Sequence, residues 1–244
     1  MLYGVFSDIH SNFPALKKVL EVFEKNNIEN FIFCGDIVGY GPEPAACLNA
    51  IMALKNLTIV PGNHDAVVCG KMDAKWFNPS AIKAIKIVNE ELSGAMLGFL
   101  ASIPDFVENE EFTLVHGSPK KHLTEYLVNK EQFINNLEFW KTSVCFIGHT
   151  HLPMYFKHSC GGVLKNAITP GESVIMDKNA RYIFNPGSVG QPRDGNPFAS
   201  CGIYDSKKKS FQIIRIDYER EKTQKLMKEK NMPQPLIDRL RLGS

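Results

Sequence analysis

The sequence predicts an α/β protein whose parallel strands carry polar motifs at their carboxyl ends. Three observations point there. Residues 1–65 run through a strand–helix–strand–helix–strand rhythm, which implies parallel strands joined by helical crossovers. Each strand of that rhythm stops on a short polar motif, and in such sheets ligands gather where the strands end. From residue 106 onward, short apolar runs alternate with Gly, Pro and Asp-Ser-Lys turns, which reads as a strand-rich, antiparallel half.

Leu2–Phe6 is an apolar run that stops at Ser7-Asp8. Asn12 and Pro14 open a helix, since Asn caps well and Pro is tolerated in a first turn; Leu16, Val19, Leu20 and Phe23 keep helical spacing. Residues 31–34 form a second strand ending at Gly35-Asp36, 42–54 a second helix, and 58–60 a third strand ending at Pro61-Gly62-Asn63-His64-Asp65. Residues 66–102 change character. Asn78-Pro79 is a start signal, Ile82, Ile85, Val88 and Leu92 follow at helical spacing, and Ser93-Gly94 separates a second helical piece. This helical insertion is either a packing element or a wall over the strand ends. Residues 112–115 form a strand ending at His116, and 130–137 a helix. Strands follow at 144–147, 154–156, 173–176, 181–184, 199–204 and 211–216. From about residue 217 a charged stretch to Lys230 reads as a solvated helix, followed by a short amphipathic piece. No linker divides the 244 residues, so one domain is expected.

Composition narrows the class. Charge is nearly balanced, 28 basic against 26 acidic residues, which offers no electrostatic reason for a nucleic-acid partner. No apolar run reaches the length of a membrane helix and no basic-then-apolar leader is seen. The six cysteines are scattered without a CxxC pair; Cys34 and Cys145, inside apolar strand-like runs, are expected as buried free thiols, and a reducing, cytoplasmic setting is expected. Oligomeric state is not set by these features.

The organising stretch is Gly148-His149-Thr150-His151, at the end of the 144–147 run. Two imidazoles one residue apart can turn to one point if the strand breaks there, which Gly148 permits. Neutral imidazole is the commonest side-chain metal ligand. Upstream lie Asp8-x-His10, Gly35-Asp36, Gly62-Asn63-His64-Asp65 and His116, each at a predicted strand end. Alone, each reads as a turn, a cap or a structural histidine. Together they assemble a set of carboxylate, imidazole and amide donors, which suits Mn²⁺, Fe²⁺, Zn²⁺ or Ni²⁺ better than Mg²⁺ or Ca²⁺.

In these five motifs and their order the chain resembles the calcineurin-like metallophosphoesterase superfamily. The resemblance implies a four-layer α/β/β/α sandwich and two divalent metal ions, Mn²⁺ foremost. Asp8, His10 and His151 would hold one ion, Asn63, His116 and His149 the other, and Asp36 would bridge them. It further implies hydrolysis of a small phosphoester, by attack of metal-bound hydroxide on phosphorus with His64 as general acid. Asp65 is a candidate to orient His64. Protein phosphatases of the superfamily carry Gly-Asp-x-Val-Asp-Arg-Gly at the second motif. Here Gly39 replaces the second aspartate and Tyr40 the arginine, so the chain looks instead like the compact bacterial and archaeal phosphodiesterase-like branch. A phosphodiesterase is therefore the leading expectation. A phosphomonoesterase or nucleotide or dinucleoside polyphosphate hydrolase is the alternative, and a non-catalytic metal-binding scaffold a remote one. In the stretch 185–195, Arg193 has the planar fork that suits phosphate, and the Gly187-Ser188 turn could bring backbone N–H groups to an anion. Arg193, Ser188 and Asn12 are the candidate substrate-binding residues; the competing reading of the stretch is a Gly/Pro-rich connection.

Overall fold

The computed structural model describes residues 1–244. Its strands are β1 (Leu2–Phe6), β2 (Asn30–Phe33), β3 (Leu57–Ile59), β4 (Val107–Glu108), β5 (Thr113–Leu114), β6 (Val144–Phe146), β7 (Pro153–Ser159), β8 (Gly162–Ala167), β9 (Ser173–Ile175), β10 (Arg181–Pro186), β11 (Ala199–Asp205) and β12 (Ser210–Ile216). Its α-helices are α1 (Phe13–Lys25), α2 (Pro44–Met52), α3 (Asn63–Val68), α4 (Pro79–Asn89), α5 (Gly94–Ser102), α6 (Lys130–Asn136), α7 (Arg220–Glu229) and α8 (Gln234–Leu242). No helix is long and apolar enough to cross a membrane.

Two six-stranded mixed sheets result, ordered β3-β2-β1-β11-β12-β9 and β4-β5-β6-β10-β7-β8. Period-two alternation along the central strands assigns each face its partner. In β1, Val5 points into a core shared with the second sheet, whereas Phe6 points the other way, onto Leu16, Val19 and Phe23 of α1. In the second sheet Val144 and Phe146 face the first, while Cys145 faces Phe133 of α6 and Trp140. Helix, sheet, sheet, helix is the layering, as the resemblance implies.

The second half is not uniformly antiparallel. In the second sheet β5, β6 and β10 run parallel to one another, whereas β4, β7 and β8 pair antiparallel, as do β9, β11 and β12 in the first sheet. Turn signals report where a strand stops but not beside which strand it lies. β11 likewise returns to pair with β1, with Tyr3 opposite Tyr204. β8 escapes the sequence pattern because it is an edge strand with no buried residue, so burial imposes no alternation on it. All six cysteines are free thiols.

The C-terminal tail also departs from the expectation of a solvated helix. α7 buries Thr223 and Met227, and α8 buries Leu236, Ile237 and Leu240. Met227, Leu236, Ile237 and Leu240 form a core with Tyr40 and with Ala81 and Ala84 of α4, so the tail braces the helical insertion. It also reaches Asn12, whose Oδ1 accepts from the Ala15 N–H at 3.4 Å and the Thr223 hydroxyl at 3.1 Å. Asn12 Nδ2 donates to the Gly190 carbonyl at 2.9 Å and to Tyr218 Oη at 3.0 Å. Both donors and both acceptor positions of the amide are thus used inside the protein. Replacing Thr223 with Val leaves a buried acceptor short of a partner. The expected loss is about 1–2 kcal/mol of stability, read as a lower urea midpoint with an unchanged slope.

Candidate metal centre

The candidate ligands come from loops at the carboxyl ends of β1, β2, β5 and β6 and from the start of α3, where the two sheets meet. Asp8, His10, Asp36, His149 and His151 all have positive φ, between 46° and 66°. For residues other than glycine that region costs of order 1–3 kcal/mol each and persists only where the surroundings over-determine it. Here backbone hydrogen bonds between loops do so. The Asp8 N–H donates to Gly35 O, His10 N–H to Asp36 O, Gly190 N–H to Asp8 O and Gly148 N–H to His116 O, all within 3.1 Å. Gly148 is required for close approach: a Cβ there would lie 2.0 Å from Ser7 Oγ.

Second-sheet residues tighten the same loops. Asn185 Nδ2 donates to the Gly148 carbonyl at 2.6 Å and to Thr150 Oγ1 at 3.0 Å. Ser188 Oγ donates to the Asp8 carbonyl and accepts from the Gln191 N–H, each at 2.8 Å. The N–H groups of Gly187, Val189 and Gly190 are all spent on protein acceptors. Ser188 and Asn12, the candidate substrate contacts, are placed by these bonds inside the loop framework. Ser188 is fully buried and Asn12 is saturated, so both shape the loop bearing Asp8 and His10.

Three histidines have their tautomer set by a backbone carbonyl, which can only accept. His10 Nδ1–H donates to Val38 O at 3.2 Å, His116 Nδ1–H to Cys34 O at 2.7 Å and His151 Nδ1–H to Gln191 O at 2.5 Å. Each neutral ring therefore turns a bare Nε2 inward. His10 Nε2 and His151 Nε2 lie 3.1 Å apart, with Asp8 Oδ1 at 3.8 and 3.2 Å. That carboxylate oxygen is buried and has no hydrogen-bond partner. On the other side, His116 Nε2 lies 3.1 Å from both Asn63 Oδ1 and His149 Nδ1. Asp36 Oδ2 stands between the halves, 3.6 Å from His10 Nε2 and 3.4 Å from His116 Nε2, while its Oδ1 accepts from the His64 N–H at 2.9 Å. Lone pairs this close repel unless positive charge sits among them. Asp8/His10/His151 and Asp36/His116/His149 each bring their donor atoms within 4.8 Å of one another. The donor set fits divalent cations on chemistry and on its orphaned atoms alike.

Without cations, protons do part of this work. Burial acts to lower the His116 pKa, but the Asp36 carboxylate, by charge and hydrogen bond, and Asp8 outweigh it and push it up to about 9. Burial works to raise Asp8 and Asp36, yet neighbouring imidazoles hold both below the usual carboxylate range. Burial, reinforced by the charge of His116, pushes His149 down to about 3.

His64 is buried against His10, Tyr40 and Phe77, with ring centroids 4.5–4.8 Å away. Its Nδ1 has no partner. Gly39 faces it with φ +128°, and a Cβ there would stand 2.7 Å from His64 Nδ1, so no side chain occupies the place of the absent aspartate. Asp65 does not fill the gap. Its carboxylate accepts from the backbone N–H groups of Ile37, Val38 and Gly62 at 3.0–3.1 Å, which clamps the β2 loop to α3 rather than orienting His64. Burial pushes the His64 pKa down to about 4, with Arg193 adding to the effect and Asp36 opposing it. Arg193 is half-buried, with Nη2 on Gln191 Oε1 at 3.2 Å and Nε unpartnered.

A cleft of about 510 Å³ opens beside Asn63, His64 and His149. The helical insertion lines it through Trp76, Phe77 and Ala81, while its Ile85, Val88 and Leu100 pack into the core beneath. Tyr126, on the loop after β5, is not among the sequence candidates, yet its ring stacks on His149 with centroids 3.8 Å apart. No periodic pattern marks that loop, so only the folded chain reveals the contact.

The sequence model of the calcineurin-like phosphoesterase superfamily domain matches residues 1–209. An uncharacterised protein of Methanocaldococcus jannaschii is 35% identical over 247 residues, covering 99% of this chain and 98% of that protein. Phosphodiesterase YfcE of Escherichia coli is 27% identical over 206 residues, 82% of this chain and 85% of its own. The crystal structure of a metallophosphoesterase from Sphaerobacter thermophilus superposes with a TM-score of 0.90 at 35% identity, covering 100% of this chain and 99% of that one. The chain belongs to the calcineurin-like phosphoesterase superfamily and is a metal-dependent phosphoester hydrolase.

Proposed function

We propose that the protein is a phosphodiesterase that works with two divalent cations, Mn²⁺ being the first to test. The observation that carries this reading is the inward-turned set of bare donors on either side of Asp36. Asp8, His10 and His151 would hold one cation, Asn63, His116 and His149 the other, with Asp36 shared between them. When bound, the two cations supply positive charge against the phosphoryl oxygens and acidify a water for attack on phosphorus. The diester assignment is supported by the relation to phosphodiesterase YfcE and by Tyr40 standing where protein phosphatases have arginine.

The chain's own residues supply orientation and the proton. Arg193, beside His64 and His151 with an unpartnered Nε, would pair with a phosphate oxygen. His64 would protonate the leaving oxygen. With no carboxylate behind it, the ring is neutral in the metal-free protein. An anionic phosphoester beside it raises its pKa toward the working range.

The deciding assay compares an aryl phosphodiester with the matching monoester after chelator stripping and Mn²⁺ reloading. Diester turnover that needs metal supports the proposal, and turnover of the monoester alone overturns the diester assignment. His64→Ala should retain metal and lose about a hundred- to ten-thousandfold in kcat. Asp36→Asn should lose metal and activity together, and an active variant free of metal would sink the bridging role. Arg193→Ala should raise KM, and an unchanged profile removes Arg193 from the site.

A pH dependence follows from His116. Its pKa rises from 6.5 to about 9 on folding without metal, so its contribution to metal-free stability is complete below pH 6.5 and lost as pH climbs through about 9. Cations replace that proton. Metal uptake at neutral pH should release a proton, and affinity should rise with pH across this window. Calorimetry in buffers of different ionisation enthalpy measures both, and proton-free uptake at pH 7 contradicts the assignment.

A further inference from the structure

We infer that the phosphoester carries an uncharged, planar aromatic group of the nucleobase kind, stacked in the cleft between the helical insertion and the loop after β5. The inference rests on phosphoester hydrolysis at the adjoining Asp–His centre and names the class of substrate. The cleft is continuous with that centre, since Asn63, His64 and His149 form part of its wall. From them the aromatic surface extends outward. Phe77 and Tyr40 each lie 4.5 Å from the His64 ring, and Tyr126 lies parallel to His149 within 28°. Beyond these stands Trp76, 89% exposed, with Tyr126 itself 48% exposed. Single exposed apolar residues are ordinary, but here they converge on one concavity beside a reaction centre.

Charge selects among the groups such a cleft could take. No Lys, Arg, Asp or Glu lines it. A polyphosphate chain would lie there without a cationic partner. An ammonium headgroup could use the rings through cation–π attraction, but it would find no carboxylate and would sit beside a centre built for divalent cations. An uncharged ring system suffers neither penalty. The volume, about 510 Å³, is within the usual range for a bound small molecule. Polar edges are available as well. Thr124 lines the cleft, and Asn78 spends its Oδ1 on capping α4 through the Ala81 N–H at 2.9 Å, leaving its Nδ2 free to donate.

The test uses product-like ligands, so it does not depend on turnover. Metal-loaded full-length protein is titrated by calorimetry with adenosine 5′-monophosphate, ribose 5-phosphate and phosphocholine, and intrinsic fluorescence is followed in parallel. Of the two tryptophans, Trp140 is 3% exposed and packed against Phe133, so a change on ligand addition reports Trp76, which Trp76→Phe verifies. The nucleotide should bind about 5- to 150-fold more tightly than ribose 5-phosphate, the span expected for stacking one base on aromatic side chains. It should also change the Trp76 emission. Trp76→Ala should shrink the ratio between the two ligands. Equal affinities, a preference for phosphocholine, or a ratio unmoved by Trp76→Ala overturns the inference. Persistence of the nucleotide advantage in a protein that hydrolyses no diester would retain the cleft assignment and reject only the phosphodiesterase reading.

Discussion

Asp36 is the constraint around which the rest of the centre is built. One carboxylate, buried at the meeting of two sheets, faces His10 on one side and His116 on the other. A buried anion in that position must be compensated. The protein compensates it with the His64 backbone N–H on Oδ1 and with imidazoles around Oδ2. Those imidazoles are themselves oriented by backbone carbonyls, so neighbouring loops are locked to the same centre. The proton held by metal-free His116 and the cations the donor set fits are two answers to one electrostatic demand.

The strain in the ligand loops has the same origin. Five candidate ligands sit at positive φ because each must turn its side chain inward within two to five residues of leaving a strand. Inter-loop hydrogen bonds hold those conformations. Asn185 and Ser188, which extend the family pattern in sequence, serve this purpose. Asn12 extends the same framework to Tyr218 and Thr223 in the tail. The tail lies beyond the 1–209 family match, yet it packs on Tyr40 and α4, so it supports one wall of the cleft.

The missing acidic partner of His64 gives the site a particular character. Gly39 leaves only space beside His64, and Tyr40 turns its ring onto both His10 and His64. The surroundings of the imidazole are therefore aromatic and poorly solvating. Such an environment favours the neutral ring until an anion arrives, and the same rings continue into the adjoining cleft.

Local sequence determined the strands that carry ligands, the cap at Asn12, the breaks at Ser93-Gly94, and the identity of the candidate donors. These are short-range properties. A strand pattern, a capping side chain and a His-x-His spacing are each legible within a few residues. Tertiary structure decided the rest. It made β5, β6 and β10 parallel, because pairing depends on the path of the whole chain. It turned Asp65 onto backbone N–H groups and closed Ser188 and Asn12 inside hydrogen-bonded frames, because a polar side chain's partners come from distant segments. It also set Tyr126 on His149 and exposed Trp76 beside them, contacts that no periodic signal announces because each joins a loop to a residue it meets only in the folded chain.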